Sequence, residues 1–256
     1  MFRTFLVAQR DLNPPTEYLD CLQRVAELYR SRLVHAVVKN PDELPSRAVQ
    51  PVAGESQSAP NEKPVGNVGQ TRSVVLVGDF VPAVCDKGHE ADVIAVWQGC
   101  LVGPDGQPSA EELANLVRQA PRPVWVARDP LRFPEQILVA YDGSAHSGRA
   151  LHMASNLAET LGARLTVLNV DESRDDVAQA MILSRAAGYC EAYRIQMERV
   201  GVFGSAAAAI RSYAESSQCD LLVVGAAGVG YLRGLLFGSV AGQLIGNAPC
   251  SVLVAK

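Results

Sequence analysis

No lysine occurs between Lys87 and Lys256, a stretch that contains most of the glycine in the sequence. A Walker A phosphate loop requires the pattern GxxxxGK[ST], so this absence excludes one there. The dinucleotide-binding pattern GxGxxG fails as well, because Gly228-Val229-Gly230 is followed by YLR. The sequence therefore disfavours an ordinary P-loop NTPase and a Rossmann dehydrogenase.

Net charge, cysteine pairs and histidine clusters are also scarce. The formal charge is −4 and basic residues are not clustered, so the chain has no general attraction for nucleic acid or acidic lipid. Its six cysteines include no CxxC pair, and its four histidines lack the spacing of metal ligands. These features predict reduced, buried thiols in a cytoplasmic protein that binds no nucleic acid and has no metal site.

Two stretches raise the question of a membrane. The first residues, MFRTFLVAQRDLNPP, have a short apolar run and no small-residue cleavage site, so no signal peptide is predicted. Residues 234–255 carry no charge and are long enough to span a bilayer. However, Pro249 divides this stretch into a helix-like part and a β-branched segment, SVLVA. A helix followed by a buried strand is predicted, and no membrane span.

The chain repeats itself at a nearly constant offset. ADVIAVWQG at 91–99 resembles CDLLVVGAA at 219–227, and APRPVWVAR at 120–128 resembles APCSVLVAK at 248–256, both 128 positions apart. FLVAQ at 5–9 matches ILVAY at 137–141, and LVHAVV at 33–38 matches LTVLNV at 165–170, both 132 positions apart. Buried strands resemble one another by chance, but chance does not explain the shared offsets. We infer a duplication, with tandem domains at residues 1–133 and 134–256.

Each half is predicted to alternate strands and helices, which gives an α/β fold with a parallel sheet covered on both faces. In the second half the predicted strands span 136–142, 164–170, 194–200, 219–225 and 251–255. Helices are predicted after the first strand, from about Asp175, and over 206–216. Gly162 is a typical stop for the first of these helices.

The first half is less regular. After a strand at 34–38, residues 39–72 contain five prolines among glycine, serine, glutamine and asparagine. A crossover helix between parallel strands is expected at this place. The composition instead favours a long exposed loop, which is either a tolerated insertion or a docking segment.

The segment GAAGVGYLRGLLFGS, residues 225–239, follows a buried strand, and Asp142 ends another strand. Ligands of open parallel sheets bind beyond the carboxyl ends of the strands. Glycine allows backbone N–H groups to approach a phosphate closely, and a helix N-terminus adds favourable electrostatics. Ser239 is a candidate N-cap for a helix over 240–246. The segment is predicted to be either a phosphate cradle or a set of turns.

The spacing Gly225-x2-Gly228-x9-Gly238-Ser239, after CDLLVVG and before APCSVLVA, resembles the nucleotide-binding motif of universal stress proteins. ILVAYDGSAHSGRAL at 137–151 is similar to the first strand and helix start of that family. The resemblance covers residues 135–256 well and the first half only through the repeat. It implies an adenine nucleotide alpha hydrolase-like fold in each half, an open five-stranded, mainly parallel sheet of strand order 3-2-1-4-5.

The resemblance implies one ATP site, in the second half, with no catalytic residues. By position, Ala140 and Tyr141 line its wall, Asp142 lies near adenine and ribose, Val170 packs on adenine, and Gly225, Gly228, Gly238, Ser239 and Val240 hold ribose and phosphates. Ala241 stands where ATP-binding members often have a hydroxyl, so a triphosphate loses more binding than a monophosphate. ATP, ADP and AMP are all candidates, with Mg²⁺ as an accompanying ion.

The first half departs from this motif. Trp97 stands at the position of Gly225, Cys100 at that of Gly228, and Arg10 or Asp11 at that of Asp142. Because a tryptophan side chain obstructs close approach to the backbone, no nucleotide is predicted there. In the second half, His146 has no partner in the sequence and is predicted to be a surface or helix-face residue.

The resemblance also implies pairing between the last strands of the two halves, 124–127 and 252–255, which forms a pseudo-dimer within the chain. A homodimer of chains is a further option. The expected function is that of an ATP-binding regulatory module of the stress response. The alternatives are a slow ATPase or phosphotransferase, for which only Arg233 supplies a nearby cation, and a nucleotide-free scaffold for protein association.

Overall fold

The computed structural model describes residues 2–10, 15–40, 71–102, 109–226 and 239–256. The first half contains β1 (Thr4–Arg10), α1 (Thr16–Tyr29), β2 (Arg32–Lys39), β3 (Thr71–Val77), α2 (Phe80–Gly88), β4 (Val93–Trp97), a 3₁₀ turn (Gln98–Cys100), α3 (Ala110–Gln119) and β5 (Val124–Ala127). The second half contains β6 (Gln136–Ala140), α4 (Ala145–Leu161), β7 (Arg164–Asp171), α5 (Asp176–Cys190), β8 (Gln196–Phe203), α6 (Ala206–Ser216), β9 (Leu221–Gly225), α7 (Ser239–Asn247) and β10 (Ser251–Ala255).

The strands form one sheet in the order β3-β2-β1-β4-β5-β10-β9-β6-β7-β8. Within each half the neighbouring strands are parallel, and the order is 3-2-1-4-5. β5 and β10 pair antiparallel, with Trp125 opposite Leu253, and so join the two halves. The predicted α/β fold class and strand order are confirmed, and the last strands pair as the resemblance implied.

Helices cover both faces of the sheet and enclose one core on each. Buried side chains of α1, α4 and α5 pack on one face, together with Trp125 and Leu253 of the junction. Those of α2, α3, α6 and α7 pack on the other. The strands at the centre, such as β5, β9 and β10, are almost wholly apolar because both of their faces are covered. The edge strands β3 and β8 alternate between exposed and half-buried residues.

Local sequence signals explain where the helices of the second half begin and end. The Ser144 hydroxyl accepts the N–H of Ser147 at the start of α4, and Gly162 ends that helix at a φ of 68°. The Asp175 carboxylate caps α5 by accepting two backbone N–H groups. The strand predicted over 194–200 was misplaced, because β8 follows the ladder of its neighbour β7 and spans Gln196–Phe203.

The predicted proline-rich loop falls on residues 41–70, which lie outside the described residues. Its two ends were assigned wrongly, because Lys39 belongs to β2 and residues 71–72 belong to β3. These two strands pair from Leu33 opposite Thr71 to Lys39 opposite Val77. A backbone ladder does not require apolar side chains, so it extends both strands beyond the apolar run.

Three absences predicted from the sequence can be compared with the structure. All six cysteines are free and buried, as predicted. Among the described residues no group of histidine, cysteine and acidic side chains is placed to hold a metal ion. None of the helices in the described ranges has the length and apolarity needed to cross a membrane. Within the uncharged stretch, α7 is followed by the buried strand β10, as predicted.

Candidate functional site

A cavity of about 400 Å³ opens at the carboxyl edge of the second half. It lies beyond the ends of β6, β7 and β9 and is bounded by the first turns of α4, α6 and α7. β6 and β9 are parallel neighbours although two strands separate them in sequence. The order of strands reverses at this point, which is where open α/β sheets bind their ligands.

Six of the nine predicted site residues line this cavity: Ala140, Tyr141, Asp142, Val170, Gly225 and Val240. Gly228 and Gly238 lie outside the described residues. Ser239 is the first residue of α7, so the helix starts one residue earlier than predicted. The side chain of Ser239 is also outside the described part of the chain.

Asp142 supplies the charged group at the mouth of the cavity. Its carboxylate accepts the backbone N–H of Ser144 at 2.9 Å, which fixes the turn that leads into α4. Partial desolvation disfavours the ionised carboxylate, but hydrogen bonds from Ser147 and Ser144 outweigh it and lower the pKa of Asp142. The group is therefore an anion at neutral pH and accepts hydrogen bonds from hydroxyl or amino groups of a ligand.

Gly225 allows α4 to pack tightly against the end of β9. A Cβ at this position would lie 2.5 Å from the carbonyl carbon and oxygen of His146 and 2.9 Å from the N of Ser147. These contacts involve backbone atoms, which cannot move aside like the end of a side chain. The first turn of α4 is thus held at the cavity, beside the residue from which the glycine segment departs.

The remaining wall is mainly apolar. Val170 and Leu168 contribute from β7, Ala206 and Ile210 from the first two turns of α6, and Val240 from the first turn of α7. These side chains pack on the α6 and α7 side of the sheet. Such a surface suits a flat apolar ring system.

Tyr141 differs from the prediction in how it contributes to this wall. It lines the cavity, but its side chain is 7% exposed and packs in the opposite core with α4 and α5. Its backbone is fixed there because the Tyr141 carbonyl accepts the Asn169 amide at 2.7 Å. The alternation of side chains along β6 accounts for this, since Ala140 and Tyr141 point to opposite faces.

His146 was predicted to be a surface or helix-face residue, and the prediction did not include it in the site. It is half-buried in the first turn of α4 and lines the cavity. Its Nε2 is buried and has no hydrogen-bond partner among the described residues. The sequence signal for a role of His146 in the site is its position. It follows the strand-ending Asp142 and lies in the first turn of a helix that starts at the binding edge.

The described residues that line the cavity include no lysine or arginine. Among these described residues, the ionised Asp142 side chain carries a negative charge, which repels a phosphate. The wall at Asp142 therefore favours hydroxyl or amino groups of a ligand over anionic groups.

The corresponding edge of the first half differs in its side chains, and a cavity of about 350 Å³ lined by Arg10, Phe80 and Glu112 opens there. The Trp97 ring lies over Gly99, where a Cβ would come within 2.3 Å of ring atoms, and its N–H donates to Asp129 at 3.2 Å. Arg10, in place of Asp142, donates to the Cys100 carbonyl at 3.0 Å and stacks on Phe80. An arginine and a tryptophan thus occupy positions at which the second half has a carboxylate and a glycine.

Comparisons with known proteins bear on the family and the fold of the chain. A model described as the universal stress protein family matches residues 134–256. A universal stress protein of Thermus aquaticus is 34% identical over 133 residues, 47% of this chain and 97% of that protein. One from Synechocystis is 27% identical over 181 residues, so the match spans 71% of this chain and 60% of that relative.

A solved structure extends the likeness to both halves. The crystal structure of a universal stress protein from Archaeoglobus fulgidus superposes with a TM-score of 0.68 and 17% identity. The match covers 99% of this chain and 96% of the other, so it shows the fold over the full length described. The Thermus aquaticus protein is matched at 34% identity over almost its whole length. The chain therefore belongs to the universal stress protein family.

Proposed function

We propose that the second half binds an adenine nucleotide and that the chain acts as a nucleotide-dependent binding module in a stress response. One observation supports the proposal: a cavity of about 400 Å³ is lined by residues at the ends of β6, β7 and β9 and at the start of α7, among them six of the nine predicted site residues. Cavities of roughly 300–1,000 Å³ with apolar walls and few polar groups are typical of small-molecule sites.

The chemistry of the wall suggests how the nucleotide lies. The adenine packs against Val170 and the apolar first turn of α6. The Asp142 carboxylate accepts hydrogen bonds from the ribose hydroxyls. These bonds are strong because their acceptor is ionised. The phosphates extend toward the amino end of α7, where Val240 lies and where backbone N–H groups favour an anion. Mg²⁺ accompanies a di- or triphosphate.

The cavity favours binding over phosphoryl transfer. Phosphoryl transfer relies on cations that neutralise charge developing on the phosphates and on a group that orients the nucleophile. The described lining residues provide one ionisable nitrogen base, His146, and no lysine or arginine. Nucleotide therefore acts as a ligand that stabilises one state of the protein, in proportion to its concentration relative to Kd.

The Asp142→Asn substitution tests this proposal. Asparagine retains the oxygen that fixes the turn, but it loses the negative charge that strengthens hydrogen bonds to ribose. We expect the Kd for ATP, measured by isothermal titration calorimetry, to rise about tenfold, since a hydrogen bond to a charged group contributes about 1.5 kcal/mol or more. The rise in Tm that ATP causes should be correspondingly smaller for Asp142→Asn than for the wild-type protein.

Asp171→Asn is the matched control. Asp171 also ends a strand, and its carboxylate accepts hydrogen bonds from Ser173 and Asp175, but it does not line the cavity. Its substitution should leave the Kd for ATP within about twofold of the wild-type value. Absence of any heat or thermal shift with ATP, ADP and AMP in the wild-type protein contradicts the proposal and supports a nucleotide-free scaffold.

Restoring the hydroxyl that Ala241 lacks should improve triphosphate binding. Ala241 is 5% exposed, lines the cavity and lies in the first turn of α7. We expect Ala241→Ser to tighten ATP about fivefold relative to AMP, the effect of one hydrogen bond of about 1 kcal/mol. Titration calorimetry with both nucleotides measures the ratio.

Gly246→Ala is the control for that measurement. It changes the same helix at a position where a Cβ meets nothing within 4 Å. An unchanged ATP-to-AMP ratio in Ala241→Ser, or an equal change in Gly246→Ala, contradicts the placement of phosphates at the amino end of α7.

A further inference from the structure

Two cations cross between the halves and meet the carboxyl ends of opposite helices. Arg128 follows β5 in the first half, and its guanidinium donates to the Ile245 carbonyl in the last turn of α7. Lys256 follows β10 in the second half, and its ammonium donates to the Arg118 carbonyl in the last turn of α3 at 3.2 Å. Arg128 and Lys256 are 128 positions apart, the offset of the repeat. The two cations therefore occupy equivalent positions under the internal symmetry, and their partner carbonyls differ from that offset by one residue.

The Arg128 contact is the more buried of the two. Arg128 is 9% exposed, and its backbone N–H also donates to the Ser251 hydroxyl at 3.3 Å. Within the described residues no carboxylate pairs with it, and its Nε has no hydrogen-bond partner. The partial negative charge at the carboxyl end of a helix stabilises such a cation. Desolvation lowers the pKa of both Arg128 and Lys256, as expected for cations held away from water.

The consequences of the two contacts differ because the helices differ in what lies at their other end. The first turn of α7 provides Val240 and Ala241 to the cavity of the second half. At the corresponding edge of the first half, α3 lines a different cavity of about 350 Å³, to which it contributes Glu112 and Asn115, neither of which is a predicted site residue. A nine-residue helix moves almost as a rigid rod of about 13 Å, so a shift at its carboxyl end displaces its first turn.

We propose that Arg128 of the first half is a positioning residue for the nucleotide site of the second half, acting through α7. This inference rests on the proposed function. It gives the first half a role in the site of the second half, because Arg128 contacts the helix that flanks the cavity. α3 also packs against α7 across the junction, so the first half supports α7 along its side as well as at its end.

The test compares Arg128→Met with Lys256→Met in the full chain. Both variants remove one cation from one helix end, so both should lower Tm, by about 3–6 °C for a chain of this size. Arg128→Met should also weaken ATP binding about 5- to 10-fold in titration calorimetry below the transition. Lys256→Met should leave the Kd within about twofold. Hydrogen exchange of the α7 amides should accelerate in the first variant alone.

Arg128→Lys provides the conservative rescue. Lysine retains the charge but not the planar fork of donors, so its Kd for ATP should lie between those of the wild type and Arg128→Met. This variant decides the question if Arg128→Met does not fold: an unchanged Kd and unchanged exchange in α7 overturn the inference. Equal weakening of ATP binding by Lys256→Met overturns it too, because the effect would then be general destabilisation.

The same experiment separates this inference from the proposed function. If the wild-type protein binds no adenine nucleotide, the proposed function fails and this inference fails with it. If the wild type binds ATP and Arg128→Met binds it equally well, only the positioning role fails. Faster exchange in α7 with an unchanged Kd likewise rejects it, because capping would then stabilise the helix without affecting the site.

Discussion

Replacing Gly225 with alanine should destabilise the protein by about 2–3 kcal/mol and weaken adenine nucleotide binding at least about tenfold. The added Cβ would lie 2.5 Å from backbone atoms of His146, far inside normal contact distance. β9 cannot retreat, because it is paired with β6 as far as Val223 and with β10 as far as Gly225 itself. The first turn of α4 must therefore move, and this displaces His146 and Ser147 from the cavity wall.

Gly148→Ala provides the control within α4 itself. A Cβ at Gly148 meets nothing within 4 Å, and alanine in a helix interior is favoured over glycine by about 0.5–1 kcal/mol. Urea denaturation followed by circular dichroism should therefore show a loss of stability for Gly225→Ala and a gain for Gly148→Ala. Equal stability of Gly225→Ala and the wild type would contradict the close packing of α4 against β9, in which a Cβ on Gly225 lies 2.5 Å from the His146 backbone.

The arrangement of the two halves could be predicted from the sequence because it depends on repeated patterns. Apolar runs at shared offsets predict equivalent strands, and alternation with helices predicts a parallel sheet. The antiparallel junction was expected only from the family resemblance, since Val124–Ala127 and Val252–Ala255 read as ordinary buried strands. Fully apolar strands carry no signal about which neighbour they pair with.

The candidate site could be predicted in part. Asp142, Gly225 and Val240 fall at strand ends or helix starts, where a spacing motif is informative. The location of His146 depends on how the first turn of α4 rotates over the sheet edge, and its position shortly after Asp142 is the only sequence signal for it. The Tyr141 side chain faces the other core because of strand alternation at the end of β6, which a motif match does not consider.

The crossing cations could not be predicted from sequence at all. Arg128 and Lys256 each follow a buried strand, where a charged residue is normally read as the point at which the chain returns to water. Their partners, the carbonyls of Ile245 and Arg118, are backbone groups and leave no trace in the sequence. Only the antiparallel pairing of β5 with β10 brings each strand end to the opposite helix.

The junction itself should be the most sensitive part of the core, and Trp125→Ala should destabilise the protein by about 3–5 kcal/mol. Trp125 is 1% exposed, lies opposite Leu253 across the junction and next to Ala95 of β4. Its indole N–H has no partner among the described residues, so its removal leaves no orphaned hydrogen-bonding group. The loss is that of apolar burial and of the cavity that remains, which rigid neighbouring strands cannot fill.

Trp97→Ala is the matched control, because Trp97 is the other tryptophan of the chain and is half-buried. It gives up one hydrogen bond to Asp129, which is exposed and can turn to water. Its substitution should cost less than about half as much as that of Trp125 in urea denaturation followed by far-ultraviolet circular dichroism. If Trp125→Ala does not fold, Trp125→Phe should still be less stable than Trp97→Phe. The opposite ranking would mean that the packing of Trp97 stabilises the protein more than the packing of Trp125 at the junction, and it would contradict this prediction.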